Sequence, residues 1–135
     1  MKIVLDTNVL VSGLRTPFGP GGQTIKLLMT GRLVLLYDSR ILLEYMNVLS
    51  RPKFGFAPEN IDLILRHMET NGLVVLAPPL KKRLPHPDDE PFLEVAFAGH
   101  AKCLVTGNKR HFPEKTVQGI PILSPSEFIE YYREQ

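Results

Sequence analysis

Short runs of consecutive apolar residues alternate along this chain with segments in which apolar residues recur every three or four positions. The short runs predict buried strands, since a strand that is covered on both faces needs no polar side. These runs lie at 2–5, 33–37, 73–77, 103–106 and 120–123. The first run continues as KIVLDTNVLVSGL, where Asp6, Thr7 and Asn8 interrupt an otherwise apolar stretch. Asp6 therefore lies where the first strand is expected to end.

The segments with helical spacing predict helices between and after these strands. They cover 23–30, 39–50, 58–71, 90–99 and 124–131. The last one opens with SPSE, a capping box with proline at the first helical position. Proline and glycine are dense at 16–22 and prolines recur through 78–91, so both stretches are expected to be loops.

The alternation of strands with helices predicts an α/β fold in which a parallel sheet is covered on both faces. In such sheets, ligands bind beyond the carboxyl ends of the strands. Asp6 lies at one such end, and the segment 106–108 lies at another. Asp88 and Asp89 open the helix that precedes the second of these strands. We therefore expect these polar groups to meet at one edge of the sheet.

Length and composition limit the class of protein. The 135 residues suit a single domain, 1–135, and a hydrophobic content of 44% is typical of a globular chain. No apolar run approaches the ~20 residues that cross a bilayer, and the first residues lack the plan of a signal peptide. We therefore expect a cytoplasmic protein with no membrane span. The single cysteine, Cys103, excludes an internal disulfide.

The charge is almost balanced, at +2 from 16 Lys and Arg against 14 Asp and Glu. Two basic runs, LKKRLPH at 80–86 and NKRHF at 108–112, nevertheless lie near carboxylates or a strand end. Basic loops beside an acidic site suit a phosphate-bearing substrate. Ordinary solvated loops give the same pattern, so charge alone leaves both interpretations open.

Carboxylates belong to several of the elements that meet at this edge. Asp6 ends the first strand, Glu44 lies in the helix after the second strand, and Asp89 lies where a later helix begins. Because like charges repel, such a group suits a hard divalent cation such as Mg²⁺, which binds carboxylate oxygens. Water bound to the cation is acidified and can attack a phosphodiester. The set therefore favours a metal-dependent nuclease.

Each acid taken alone has a simpler explanation. The segment 6–8 could be a turn or a helix cap, because all three residue types bond to local backbone. Glu44 could be a surface residue of its helix, and Asp88 with Asp89 could merely start one. The metal site is favoured by the convergence of these residues on one edge of the predicted sheet.

Four pieces of the chain carry a family resemblance. They read IVLDTNVLVSGL from Ile3, SRILLEYMNVLSRPKF from Ser39, HPDDEPFLEVAFAGHAKCLVTGNKRHF from His86 and IPILSPSEFI from Ile120. In this order and spacing, the chain resembles PIN-domain proteins of the group related to VapC-type toxins of toxin–antitoxin pairs. The resemblance implies a three-layer α/β/α sandwich around a mostly parallel sheet of about five strands. It also implies a Mg²⁺- or Mn²⁺-dependent ribonuclease that cleaves single-stranded RNA.

The family's catalytic and metal-binding acids fall by motif on Asp6, Glu44 and Asp89, and Asp88 is an alternative register for the third. The positions expected to support these acids are Thr7, Asn8, Thr106 and Asn108. Many members have a fourth acid in or just after the VTG motif, where this chain has Asn108 and His111. The loss of that charge is expected to weaken a second metal site more than the first. His111 could contact phosphate or lie on the surface.

The expected partners are an RNA substrate, a cognate antitoxin protein and a second copy of the chain. The residues expected to hold the RNA backbone by charge are Lys81, Lys82, Arg83, Lys109 and Arg110. The homodimer is expected from the family resemblance and from the apolar residues of the helix at 58–70, with Tyr45 and Met46 nearby.

Two other classes of protein compete with the nuclease. A phosphotransfer enzyme of the haloacid-dehalogenase type also has an aspartate at the end of its first strand, but it needs a second aspartate two positions later. This chain has Asn8 there. A non-catalytic RNA-binding or scaffold PIN-like domain is the closer alternative, because the fourth acid is missing.

Overall fold

A sheet of five strands, in which all neighbours are parallel, forms the centre of the described chain. The structure is a computed structural model, and it describes residues 1–113, 117 and 119–135. The strands are β1 (Lys2–Leu5), β2 (Val34–Tyr37), β3 (Leu73–Val74), β4 (Cys103–Val105) and β5 (Ile122–Leu123). Their order across the sheet is β3-β2-β1-β4-β5. The predicted α/β fold with a central parallel sheet is confirmed.

Helices follow the strands and cover the sheet. They are α1 (Thr7–Arg15), α2 (Pro20–Met29), α3 (Ser39–Leu49), α4 (Pro58–Asn71), α5 (Glu90–Ala98) and α6 (Pro125–Arg133). Short 3₁₀ helices cover Pro52–Phe54, Pro87–Asp89 and Lys109–His111. α5 packs across β1, β2 and β4, whereas α6 packs against β5 and α2. The result is the expected three-layer α/β/α sandwich. Within the described ranges, no helix combines the length and the apolar character needed to cross a membrane.

The ends of the two strands β1 and β4 lie beside each other in the middle of the sheet. β1 and β4 are neighbours in a register that pairs Leu5 with Val105. The backbone N–H of Asp6 continues this ladder by donating a 2.9 Å hydrogen bond to the carbonyl oxygen of Val105. The residues that follow the two strands, Asp6 and Thr106, therefore lie at the same edge of the sheet.

The chain leaves β1 directly into a helix that the apolar pattern did not predict. α1 begins at Thr7, and Asp6 precedes it in an extended conformation without making a side-chain capping bond. α2 begins at Pro20 and not at Gln23. The predicted loop at 16–22 is therefore wrong at its end, because its last three residues are helical.

Two glycines in this region lie where the backbone of another segment approaches closely. A Cβ atom added to Gly13 on α1 would lie 2.8 Å from the carbonyl oxygen of Gly21 on α2. A Cβ atom on Gly22 would lie 2.1 Å from the carbonyl oxygen of Pro17. The glycines allow two backbones to approach within distances that a side chain would prevent.

The outer strands are shorter than predicted, and α6 begins as predicted. β3 and β5 each have two residues, where the apolar runs at 73–77 and 120–123 indicated longer strands. Both are edge strands that pair on one side alone within the described sheet. The capping box of α6 is confirmed, since Ser124 and Glu127 each accept a hydrogen bond from the other's backbone N–H.

Tyr45 joins α3 to the end of β1. Its side chain is fully buried, and its hydroxyl donates a 2.6 Å hydrogen bond to the carbonyl oxygen of Leu5. The homodimer expected from the sequence includes Tyr45 among its apolar surface residues. The structure corrects that expectation, because Tyr45 belongs to the core of its own chain.

We expect Tyr45→Phe to lower the free energy of unfolding by about 1–3 kcal/mol, because the buried Leu5 carbonyl would lose its hydroxyl donor. Urea denaturation measures the change. Tyr131→Phe is the matched control, since the Tyr131 hydroxyl makes no hydrogen bond to any described residue. If both variants were equally stable, the buried bond would contribute nothing to the position of α3.

Candidate functional site

Asp6 is a buried carboxylate at the middle of the sheet edge, with a residue exposure of 5%. Its Oδ2 accepts a 2.8 Å hydrogen bond from the Thr106 hydroxyl and a longer one, of 3.4 Å, from the Asn8 amide. Burial raises the pKa of Asp6, the bond from Thr106 lowers it, and the negative charge of Asp89 raises it again. The net effect is a raised pKa, which means that the charged form of Asp6 is disfavoured at this position. The hydrogen bonds from Thr106 and Asn8 nevertheless hold the carboxylate in place.

The turn after β4 is bonded to the start of α1. The Asn8 side-chain oxygen accepts a 2.9 Å hydrogen bond from the Gly107 N–H. The Thr106 hydroxyl, which donates to Asp6, accepts a 3.0 Å bond from the Asn108 N–H. All four predicted supporting positions therefore surround the first acid or, in the case of Thr7, the second.

Glu44 approaches the edge from α3. It is half-buried, and its Oε2 accepts a hydrogen bond from the Thr7 hydroxyl. Burial raises the pKa of Glu44, and the bond from Thr7 lowers it. The negative charges of Asp6 and Asp88 raise this pKa further, and the net shift is upward.

Asp89 ends the 3₁₀ helix that precedes α5. Its Oδ2 is buried and lies at ion-pair distance, 2.9 Å, from Nδ1 of His111. Apart from this contact, the oxygen accepts no hydrogen bond from the described part of the chain. Burial raises the pKa of Asp89, the charge of His111 lowers it, and the charge of Glu44 raises it.

His111 lies at the position where the resemblance implies a fourth acid. Its Nε2 is 2.7 Å from the Asn108 side-chain nitrogen, and its ring centroid is 4.1 Å from that of His86. The sequence leaves two roles open for His111, contact with phosphate or a position on the surface, and it indicates no role for His86. Their contact comes from the tertiary fold, and no spacing in the sequence indicated it.

Two other acids of α5 hold a loop in place. Glu90 accepts a 3.0 Å hydrogen bond from the Leu84 N–H, and Glu94 accepts one of the same length from the Leu80 N–H. Glu94 also pairs with Arg40 at 2.7 Å. These carboxylates therefore fix the basic loop at 80–86 against α5.

The five basic residues expected to bind RNA differ in their present partners. Lys109 pairs with Glu127 at 2.9 Å, and Arg83 pairs with Glu90 at 3.2 Å. The other three have no carboxylate at ion-pair distance among the described residues. They are Lys81, Lys82 and Arg110.

The donor chemistry of the three acids fits a hard cation. Over residues 1–113, 117 and 119–135, no three Asp, Glu, His or Cys side chains are grouped so as to hold a metal ion together. Asp6 and Glu44 are held instead by the hydroxyls of Thr106 and Thr7. Burial raises the pKa values of all three acids, and the like charges of neighbouring acids add to this shift. A cation would offset both effects by binding the charged carboxylates. It would compete with Thr7 for Glu44.

We expect Asp6→Asn to be more stable than the wild type in EDTA at neutral pH. Because the folded-state pKa of Asp6 is raised, the folded chain binds more protons than the unfolded chain between the ordinary pKa of 3.8 and the folded value. The stabilising effect of protonation is complete below 3.8 and is lost as the pH rises through the folded pKa. The stability of the variant relative to the wild type should therefore increase as the pH rises from acidic to neutral.

Urea denaturation of both proteins from acidic to neutral pH measures this difference. Asp62→Asn is the control, because Asp62 is an exposed acid of α4 that pairs with Arg66 at 3.0 Å. That variant should not gain stability as the pH rises. A difference between Asp6→Asn and wild type that shrank with increasing pH would contradict the electrostatic account of Asp6.

Comparison with known protein families identifies the family of the chain. The family model described as a PIN domain matches residues 2–110, a range that contains Asp6, Glu44 and Asp89. A comparison with curated proteins finds none that matches. PIN domains are typically nucleases and generally use divalent metal ions. Because the match covers most of the sequence, the chain belongs to the PIN-domain family.

Proposed function

We propose that this PIN domain is an endoribonuclease that uses Mg²⁺ or Mn²⁺ to hydrolyse phosphodiester bonds of single-stranded RNA. The observation that carries the proposal is the buried Asp6 carboxylate at the end of the central strand, with Glu44 and Asp89 in electrostatic reach. Burying like charges near one another destabilises the folded state. A bound cation would neutralise the carboxylates and so offset this destabilisation.

Asp6, Glu44 and Asp89 are the proposed ligands, and the exposed Asp88 is the alternative to Asp89. A divalent cation bound there supplies an acidified water and stabilises charge on the phosphate oxygens. The protein's own contribution is orientation. Hydrogen bonds from Thr106 and Asn8 fix the Asp6 carboxylate, as partners of metal ligands commonly do.

The position of the missing fourth acid bears on the number of ions. Asn108 offers an amide in place of a carboxylate, and its amide nitrogen lies against His111. A neutral side chain attracts a second cation less than a carboxylate would. We therefore propose that a second ion binds more weakly than the first.

The basic loops are proposed to hold the RNA backbone. Lys81, Lys82 and Arg110 have no carboxylate partner among the described residues, whereas Lys109 and Arg83 would first have to leave the carboxylates with which they pair. Charge contacts of this kind are independent of base sequence and weaken as salt is added. The first three residues should therefore contribute more than the other two.

We further propose that the chain is the toxin of a toxin–antitoxin pair and acts in the cytoplasm. An antitoxin protein and a second copy of the chain are the proposed partners. Three exposed apolar residues on α3 and α4 support a protein interface. They are Leu43, Met46 and Leu63, with exposures of 53%, 44% and 63%.

A non-catalytic RNA-binding PIN domain is the second candidate. Asn108 in place of an acid favours it, as does the engagement of Glu44 by Thr7. The two candidates differ in whether metal ions produce cleavage.

We expect the purified chain to cleave a labelled single-stranded RNA when Mg²⁺ or Mn²⁺ is added, and EDTA to abolish the cleavage. Asp6→Asn should lower the rate by a factor of roughly 10²–10³ or more, the scale found when one electrostatic stabiliser is removed. Gel analysis of the RNA fragments over time measures both effects.

Asp62→Asn, purified in the same way, is the control and should cleave like the wild type. Cleavage that resists EDTA, or that survives Asp6→Asn, would assign the activity to a contaminant or to another mechanism. A wild type that binds RNA but never cleaves it with either ion would support the non-catalytic candidate.

A further inference from the structure

An open cleft runs from the acidic edge along α1 and α3. Its volume is about 780 Å³, and it is lined at the acidic end by Thr7, Asn8 and Glu44. At the other end it is lined by Arg15 on α1 and by Phe54 in the 3₁₀ helix after α3. We call it the α1–α3 cleft. It is continuous with the candidate metal site through Glu44.

The length of the cleft suits a short stretch of single-stranded nucleic acid. α1 rises roughly 12 Å between Thr7 and Arg15, at 1.5 Å per residue. Stacked nucleotides are spaced ~3.4 Å apart along a strand. A strand with a phosphate at the acidic edge would therefore place a base three or four nucleotides away near Phe54.

Phe54 has the properties of a stacking platform. It is half-buried, and its ring stacks on that of Phe56 with a centroid distance of 5.6 Å and an interplanar angle of 15°. The 3₁₀ helix Pro52–Phe54 and the left-handed conformation of Gly55 (φ 62°) fix the backbone on both sides of it. The ring is thus supported from behind and held on a rigid turn.

Two cations accompany this ring. The Arg15 guanidinium lies 5.4 Å from the ring centroid, and the Lys53 ammonium lies 5.1 Å from it. Neither has a carboxylate at ion-pair distance in the described parts of the chain, unlike Lys109 or Arg83.

We propose that the α1–α3 cleft is a base-stacking subsite for single-stranded RNA. One base stacks on the Phe54–Arg15 pair, and Lys53 neutralises a neighbouring phosphate. Aromatic rings and guanidinium planes are the groups on which unpaired bases stack, and cations beside them follow the backbone. The inference rests on the proposed function, because it assigns the same RNA a path from the cleavage site to Phe54. The subsite also gives a physical reason for the proposed preference of the enzyme for single-stranded RNA, since paired bases are not free to stack.

Binding of a fluorescein-labelled oligoadenylate, followed by fluorescence anisotropy in EDTA at low salt, tests the subsite without cleavage. We expect Phe54→Leu to weaken binding roughly 5- to 100-fold, the effect of losing one base–aromatic stack. Phe54→Tyr keeps the ring and should bind like the wild type. Arg15→Gln should weaken binding and also make it less dependent on salt.

Two control variants lie outside the cleft. Phe18→Leu removes a ring that is 94% exposed, and Arg66→Gln removes a cation that pairs with Asp62. Neither should change binding. Circular dichroism melts establish that each variant is folded.

An oligonucleotide that carries 2-aminopurine reports stacking directly, since the fluorescence of this base is quenched when it stacks. With the probe moved along the strand, one position should be quenched by the wild type and by Phe54→Tyr but not by Phe54→Leu. A merely structural role for Phe54 would not produce this position-specific signal.

The outcomes separate the subsite from the chemistry. If folded Phe54→Leu bound and quenched like the wild type, or if the wild type bound no RNA in EDTA, the subsite would be wrong, and a cleft of this kind would then suit a protein partner. If binding depended on Phe54 but no metal ion produced cleavage, the subsite would hold and the proposed nuclease function would fail.

Discussion

The rest of the site depends on one constraint, the burial of the Asp6 carboxylate at the carboxyl end of the central strand. The pairing of β1 with β4 fixes the backbone on one side of Asp6, and α1 begins immediately after it. Thr106 and Asn8 then hold the carboxylate itself. A charge so firmly placed and so poorly hydrated is unfavourable in the fold unless something of opposite charge joins it.

The other two acids are tied to this position by contacts of different strength. The Tyr45 hydroxyl bonds to the residue before Asp6, so the turn of α3 that carries Glu44 is fixed relative to the strand end. Asp89 lies at the end of a 3₁₀ helix, outside the sheet, and its Oδ2 is 2.9 Å from Nδ1 of His111. Asp6, which follows a paired strand and accepts two side-chain hydrogen bonds, therefore has the most firmly fixed carboxylate of the three.

The sequence predicted the strands and most helices because their apolar residues satisfy local periodicities. It failed at α1 and at the start of α2, where Gly13 and Gly21 serve the contact between two helices and not a turn. A glycine at a helix crossing and a glycine in a loop look alike in one sequence. The predicted length of β3 was too great, because the sequence shows an apolar run but not how many of its residues pair with the neighbouring strand.

The candidate acids could be named from the sequence, since strand ends and helix starts indicate an edge of the sheet. Their hydrogen-bond partners in other elements could not. The bond from Thr106 to Asp6, the contact of His111 with Asp89 and the cations beside Phe54 all join residues that are distant in the chain. Such contacts depend on how helices and strands pack together, and no spacing rule reports them.

The central claim is that the acids around the end of β1 hold a divalent cation. Anomalous diffraction from a crystal of the wild-type chain soaked in MnCl₂ tests it most directly. The account predicts an anomalous peak bound by the carboxylate of Asp6 and by at least one of Glu44 and Asp89, and the loss of that peak in Asp6→Asn. A fully soaked crystal with no peak at this edge, or with one that persists in Asp6→Asn, would contradict it.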